Sequence, residues 1–231
     1  MAVALAREGA GLALVSRDRS KLEAVASEAM AANETCVART FVADVSREDE
    51  VARLRSEVAA AFPRVDILIN NAGINIRKNL VDFTFDEWSS VQNTNITAVF
   101  LMCRAFVPMM KGAGYGRILN MTSIMSHVSM PMRTAYSTSK FALLGLTKAL
   151  ALELAPDAIT VNGISPGPFA TEMNIPLLED PAVNAQFTSR IPLGRWGKVE
   201  EIGQLAVYLC SEDAGFITGT DILIDGGWCA Q

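Results

Sequence analysis

The chain has 231 residues, half of them hydrophobic and 19% charged, with a net charge of −5, enough apolar material for a large core in one α/β domain. The charges are interspersed, so no basic stripe offers a footprint for nucleic-acid phosphates. Cys36, Cys103, Cys210 and Cys229 lack metal-ligand spacing and read as reduced thiols. No apolar run reaches the length of a membrane span, because Arg104 and Pro108 interrupt one and Lys148 and Glu153 another. A cytoplasmic location is expected.

Residues 1–10 read as the end of a helix closing at Gly9 rather than as a secretory leader. Apolar runs at 12–15, 37–43, 66–69, 117–121, 160–164 and 221–224 read as strands, and amphipathic patterns at 19–32, 51–62, 86–111, 134–155 and 200–209 as helices. This alternation predicts a doubly wound parallel sheet in a three-layer, Rossmann-type domain spanning residues 1–231. The apolar stripe of the 134–155 helix is too wide for one sheet-facing side, so its outer face is expected to pack on another subunit.

Tyr136 and Lys140 are four residues apart, on one face of the expected helix. An ammonium beside a tyrosine favours the phenolate and lowers a pKa that is ordinarily ~10. Ser123 lies at the C-terminal end of an expected strand, where open α/β sheets place their ligand crevice. The bare Tyr-Lys spacing fits helix-surface residues better than a reactive pair, and other motifs have to decide.

Those motifs are Asp44-Val45 after one strand, Asn70-Asn71-Ala72-Gly73 after another, Asn95, Pro166-Gly167 with Thr171, and Asp225-Gly226-Gly227. Together with Ser123, Tyr136 and Lys140 they resemble the short-chain dehydrogenase/reductase family over essentially the whole chain. The resemblance implies hydride transfer between a nicotinamide cofactor and a secondary alcohol or ketone. It gives Tyr136 the role of general acid/base, Ser123 that of holding the substrate oxygen, Lys140 that of holding the ribose and lowering the tyrosine pKa, and Asn95 that of positioning a relay water. It also implies adenine contacts at Asp44 and Val45, ribose-side contacts at Asn70, Ala72 and Gly73, and nicotinamide-side contacts at Ile164, Pro166, Gly167 and Thr171. A homotetramer or dimer is implied as well, built on the helices at 98–111 and 134–155.

Cofactor choice is expected to lie after the first strand, where Ser16 and Arg17 suit a 2′-phosphate, although Asp18 partly offsets the arginine. NADP(H) is favoured over NAD(H). The family's first strand and its glycine-rich phosphate turn have no counterpart here. The glycines at 112, 114 and 116 follow a helix and precede a strand, the reverse of a phosphate loop. Two sheet strands are therefore expected to face each other unpaired across a central gap, and a longer natural chain is expected to be the active species.

The segments NNAGINIR, PGPFATEM and PLGRWG look most like gluconate 5-dehydrogenases and related sugar-acid ketoreductases. Arg77 is a candidate partner for a substrate carboxylate, equally readable as a solvent-facing arginine. Met125 and Met173 are further substrate-side candidates. Residues 171–197 read as a mobile substrate lid. Two alternatives stand: a 3-oxoacyl-acyl-carrier-protein reductase, and an inactive dehydrogenase-like binding protein lacking its phosphate cradle. His127, the sole histidine, has no nucleophile elbow or oriented acid in sequence and reads as a pocket-wall or loop residue.

Overall fold

The computed structural model describes residues 1–171 and 174–231, so Met173 lies outside the described residues. In chain order the elements are α1 (Ala2–Arg7), β1 (Leu12–Ser16), α2 (Arg19–Ala32), β2 (Ala38–Val42), α3 (Glu48–Ala61), β3 (Ile67–Asn70), α4 (Phe85–Gln92) and α5 (Ala98–Met110). They continue with β4 (Gly116–Met121), α6 (Thr134–Leu154), β5 (Ile159–Pro166), α7 (Ile175–Glu179), α8 (Pro181–Ser189), α9 (Val199–Cys210) and β6 (Asp221–Ile224). All strand pairs are parallel. Helices cover both faces because the inner strands are apolar on both faces. In β4, Ile118 packs with Val99, Phe106 and Leu143 of α5 and α6, while its neighbour Leu119 points the other way, onto Leu5 of α1 and Leu209 of α9.

The strands form two sheets, β1-β2 and β3-β4-β5-β6. Among the described residues no strand pairs with the open edges of β1 and β3, as the sequence led us to expect. Leu14 of β1 and Ile67 and Ile69 of β3 share one apolar cluster with Leu5 and Ala6 of α1. Side-chain burial, not ladder hydrogen bonding, holds the two sheets together.

One expected element is corrected. The helix anticipated over 86–111 is two helices, with residues 93–97 between them in a π turn. The i→i+5 turn widens the helix by one residue, and hydrophobic periodicity does not report it because the apolar stripe resumes beyond. The π turn carries Asn95 inward. α4 itself opens with a capping box, Thr84 accepting from the Glu87 N–H and Glu87 from the Thr84 N–H. Within the expected lid, Phe187 of α8 stacks on Trp196 at 5.4 Å between centroids, and the Trp196 indole N–H donates to Asn184 at 2.8 Å.

Candidate active site

The C-terminal ends of β4 and β5 and the first turns of α6 converge on one cavity, where open α/β sheets bind ligands. The chain leaves β4 through Thr122 into Ser123, whose hydroxyl accepts from the Met125 N–H at 3.1 Å. Tyr136 and Lys140 come from the same face of α6, with the ammonium 5.5 Å from the centroid of the tyrosine ring. Ser123, Tyr136 and Lys140 are thus brought together as expected.

Their electrostatics differ from the expectation. Burial pushes the Tyr136 phenol above its ordinary value, opposed by the Ser123 hydroxyl and by the charge of Arg133, not by Lys140. Lys140 is 4% exposed and donates to the Met121 carbonyl at 2.6 Å. Burial lowers its pKa to about 8, with Asp221 acting the other way. Among the described residues it makes no ion pair, so a buried ammonium retains unused donors, which fits the hydroxyls of a ribose.

Asn95 is completely buried. Its Oδ1 accepts from the Ile74 N–H at 2.8 Å, and its Nδ2 donates to the Ile74 carbonyl at 3.0 Å and the Ser139 hydroxyl at 2.9 Å. Both amide donors are committed to bracing the turn after Gly73, so the side chain serves first to place that turn. A Cβ on Gly73 would sit 3.4 Å from Asn95 Oδ1 and 3.6 Å from Lys140 Nζ, which puts this stretch of main chain directly over the ammonium. The Asn70 side chain is buried. Its amide is buried against Asn120 Oδ1 at 2.9 Å, linking β3 to β4.

At the far end of the crevice, Arg17 lies 3.7 Å from Asp44. The Asp44 carboxylate also accepts from the Ser46 hydroxyl at 2.6 Å, and these contacts hold its pKa below the ordinary value, the Ser46 hydrogen bond foremost. Asp18 is occupied elsewhere as the N-cap of α2, accepting from the Lys21 N–H. The Ser16 hydroxyl accepts from the Asp18 N–H at 3.2 Å. The Arg17 side chain remains 72% exposed.

The cavity has a volume of about 330 Å³, and Ser123, Tyr136, Met125, Pro166, Gly167 and Thr171 are on its wall. Arg77 lines it as expected, and so does Arg133, which sequence reasoning missed although it stands three residues before Tyr136 on the same helical turn. Burial and the like charge of Arg77 push the Arg133 pKa down. Among the described residues neither guanidinium has an ion pair or hydrogen bond. Met132, just before Arg133, has φ +63, a conformation that non-glycine residues rarely adopt and that concentrates at functional sites. Asn75 Oδ1, on the same wall, is buried without a partner. Among the described residues the cavity therefore presents two guanidiniums without an ion pair, and a buried acceptor without a partner at Asn75 Oδ1, on the wall that holds Ser123 and Tyr136.

A family model described as enoyl-(acyl carrier protein) reductase (adh_short_C2) matches residues 1–229. The chain is 36% identical over 227 residues to the gluconate 5-dehydrogenase of Gluconobacter oxydans (strain 621H), covering 98% of this chain and 88% of that protein. It is 37% identical over 199 residues to the D-beta-hydroxybutyrate dehydrogenase of Rhizobium meliloti (strain 1021), covering 82% of this chain and 77% of that one. The crystal structure of a gluconate 5-dehydrogenase from Burkholderia cenocepacia J2315 in complex with NADP and tartrate superposes with a TM-score of 0.93 at 33% identity, covering 100% of this chain and 89% of that chain. Matches of this extent, with Ser123, Tyr136 and Lys140 gathered at the strand ends, place the chain in the short-chain dehydrogenase/reductase family of oxidoreductases.

Proposed function

We propose that the protein interconverts a secondary alcohol and a ketone in a small organic acid, a sugar acid such as gluconate and its 5-keto form, using NADP(H). The observation that carries this is the pair of arginines, Arg77 and Arg133, whose guanidiniums have no ion pair among the described residues, on the wall that also holds Ser123 and Tyr136. Two neighbouring guanidiniums, of which Arg133 is partly desolvated, with no counter-ion among the described residues, are stabilised by an anionic ligand, which a carboxylate supplies through charge-assisted hydrogen bonds.

When bound, the nicotinamide accepts or supplies the hydride. Tyr136 takes the hydroxyl proton in alcohol oxidation and returns it in ketone reduction, while Ser123 holds the reacting oxygen. Lys140 donates to the ribose and, once drawn there, adds its charge to that of Arg133 in favour of the phenolate. Arg17 and Ser16 hold the 2′-phosphate, supported by the NADP in the Burkholderia structure. The tartrate of that structure, a dicarboxylate, is in keeping with an anionic substrate. Of the segment expected as a lid, residues 174–197 close over the substrate. Phe100, Phe141 and Leu152, exposed on α5 and α6, supply apolar surface for self-association.

The relatives also include 3-oxoacyl-acyl-carrier-protein reductases, such as that of Thermotoga maritima at 37% identity over 187 residues. A thioester is neutral near its reacting carbonyl and leaves the arginine pair uncompensated, so we favour the free acid. The test is NADPH oxidation with 5-ketogluconate beside acetoacetyl thioester. A kcat/KM at least about tenfold higher for the free acid, one charge-assisted contact in magnitude, supports the reading, and the reverse order refutes it.

A further inference from the structure

Behind the reacting groups lies a buried polar cluster that the proposed chemistry leaves unused. Asp221 opens β6 with a side chain only 7% exposed. The Thr122 hydroxyl lies 2.6 Å from its Oδ1, the Ser165 hydroxyl 2.5 Å from its Oδ2, and His127 Nε2 2.7 Å from the same oxygen. Ser165 Oγ is also 2.9 Å from the Ser123 carbonyl, and Thr122 Oγ1 2.7 Å from the Ile164 carbonyl. A carboxylate in this position is tolerable only because it is surrounded by donors, and they come from the ends of β4 and β5 and from the turn after β4. The backbone of β5 makes the space. A Cβ on Gly163 would fall 2.0 Å from Asp221 Oδ1, so any larger residue there evicts the carboxylate.

We infer that Asp221, gathering Thr122, Ser165 and His127, is a positioning residue that locks the end of β4, and with it the Ser123 hydroxyl, against the end of β5. Residue 123 follows Thr122 directly, and Pro166-Gly167 follows Ser165, so the clamp sets the spacing between the substrate-oxygen side and the Pro166-Gly167 side of the cavity. Each hydroxyl has one proton. Two hydroxyls and an imidazole N–H directed at one carboxylate fix three chain segments at once, which no pair of neutral partners does with equal strength. The same carboxylate favours the Lys140 ammonium. His127 is the partly exposed member, 31% accessible at its side chain, and its ring closes the cluster on the solvent side.

Thr122→Val removes one donor at nearly constant volume, and Thr122→Ser keeps it. Given that Ser123 and Tyr136 act as proposed above, Thr122→Val lowers kcat about 10-fold, in line with ~1.5–3 kcal/mol for a hydrogen bond to a charged group, with the substrate KM and the Kd for NADPH within about 2-fold. Thr122→Ser restores kcat. Equal kcat in the Val and Ser variants overturns the inference, as does a loss of NADPH affinity as large as the loss of kcat. Tyr136→Phe is measured alongside: if it retains full turnover, the reading of the site itself has failed. The clamp is then judged by the ring-nitrogen NMR spectrum of the sole histidine, which reports its tautomer directly. The wild type carries the proton on Nε2, and Asp221→Asn loses that preference. A spectrum unchanged by Asp221→Asn overturns the clamp regardless of activity.

Discussion

Arg133→Met separates what the cavity does for the fold from what it does for the ligand. The side chain is half-buried beside the like charge of Arg77 and has no counter-ion among the described residues. Methionine keeps much of the apolar stem and removes the charge. In the ligand-free protein the substitution relieves both desolvation and repulsion, and for a group this exposed, screening limits the gain to ~1 kcal/mol, a rise in Tm of about 2–4 °C for a chain of this size. With an anionic substrate, one charge-assisted hydrogen bond is lost, ~1.5–3 kcal/mol, which is roughly 10–150-fold in kcat/KM. A neutral polyol of the same length loses little beyond the charge's contribution to Tyr136. The assays are calorimetry and steady-state kinetics with gluconate and the polyol in parallel. Stabilisation together with a loss confined to the acid is the expected pattern, that of a site that gives up stability for function. Equal losses with both substrates, or a fall in Tm, refute the reasoning.

Lys140 gives a pH-dependent prediction. Its folded pKa is about 8 against 10.5 for a free lysine, so between those values the unfolded chain binds the proton that the folded chain has released, and stability rises with pH. Lys140→Met is therefore stabilising by on the order of 3 kcal/mol below pH 8 relative to its effect above pH 10.5, and denaturant melts across that window check the slope. Arg17→Ala weakens NADPH binding by about tenfold or more while leaving NADH nearly unchanged, consistent with loss of one charged phosphate contact; equal weakening of both in fluorescence titrations removes Arg17 from cofactor selection.

The alternation of strands and helices was legible because each strand is a short apolar run and each helix carries its own periodicity, and 19–32 and 221–224 match their elements residue for residue. Ser123, Tyr136 and Lys140 were legible only because the Asn70–Gly73, Asn95 and Asp225–Gly227 motifs accompany a spacing that decides nothing alone. What escaped depends on contacts between distant segments. The π turn at 93–97 changes hydrogen-bond register without changing composition. Arg17 finds Asp44, not its neighbour Asp18, because β1 and β2 end side by side. His127 meets Asp221 across 94 residues, and no local pattern announces that pairing. Arg133 alone was within reach of local reasoning, since a residue three before Tyr136 shares its turn.

Whether Tyr136 moves the proton in a nicotinamide-linked alcohol–ketone exchange is read by following reduced-nicotinamide absorbance with 5-ketogluconate in wild type and Tyr136→Phe, with NADPH binding measured on both. The wild type turns over and the variant loses ~10²–10⁴-fold, the range for a general acid/base, with NADPH affinity preserved. Turnover in Tyr136→Phe at the wild-type rate would contradict that role.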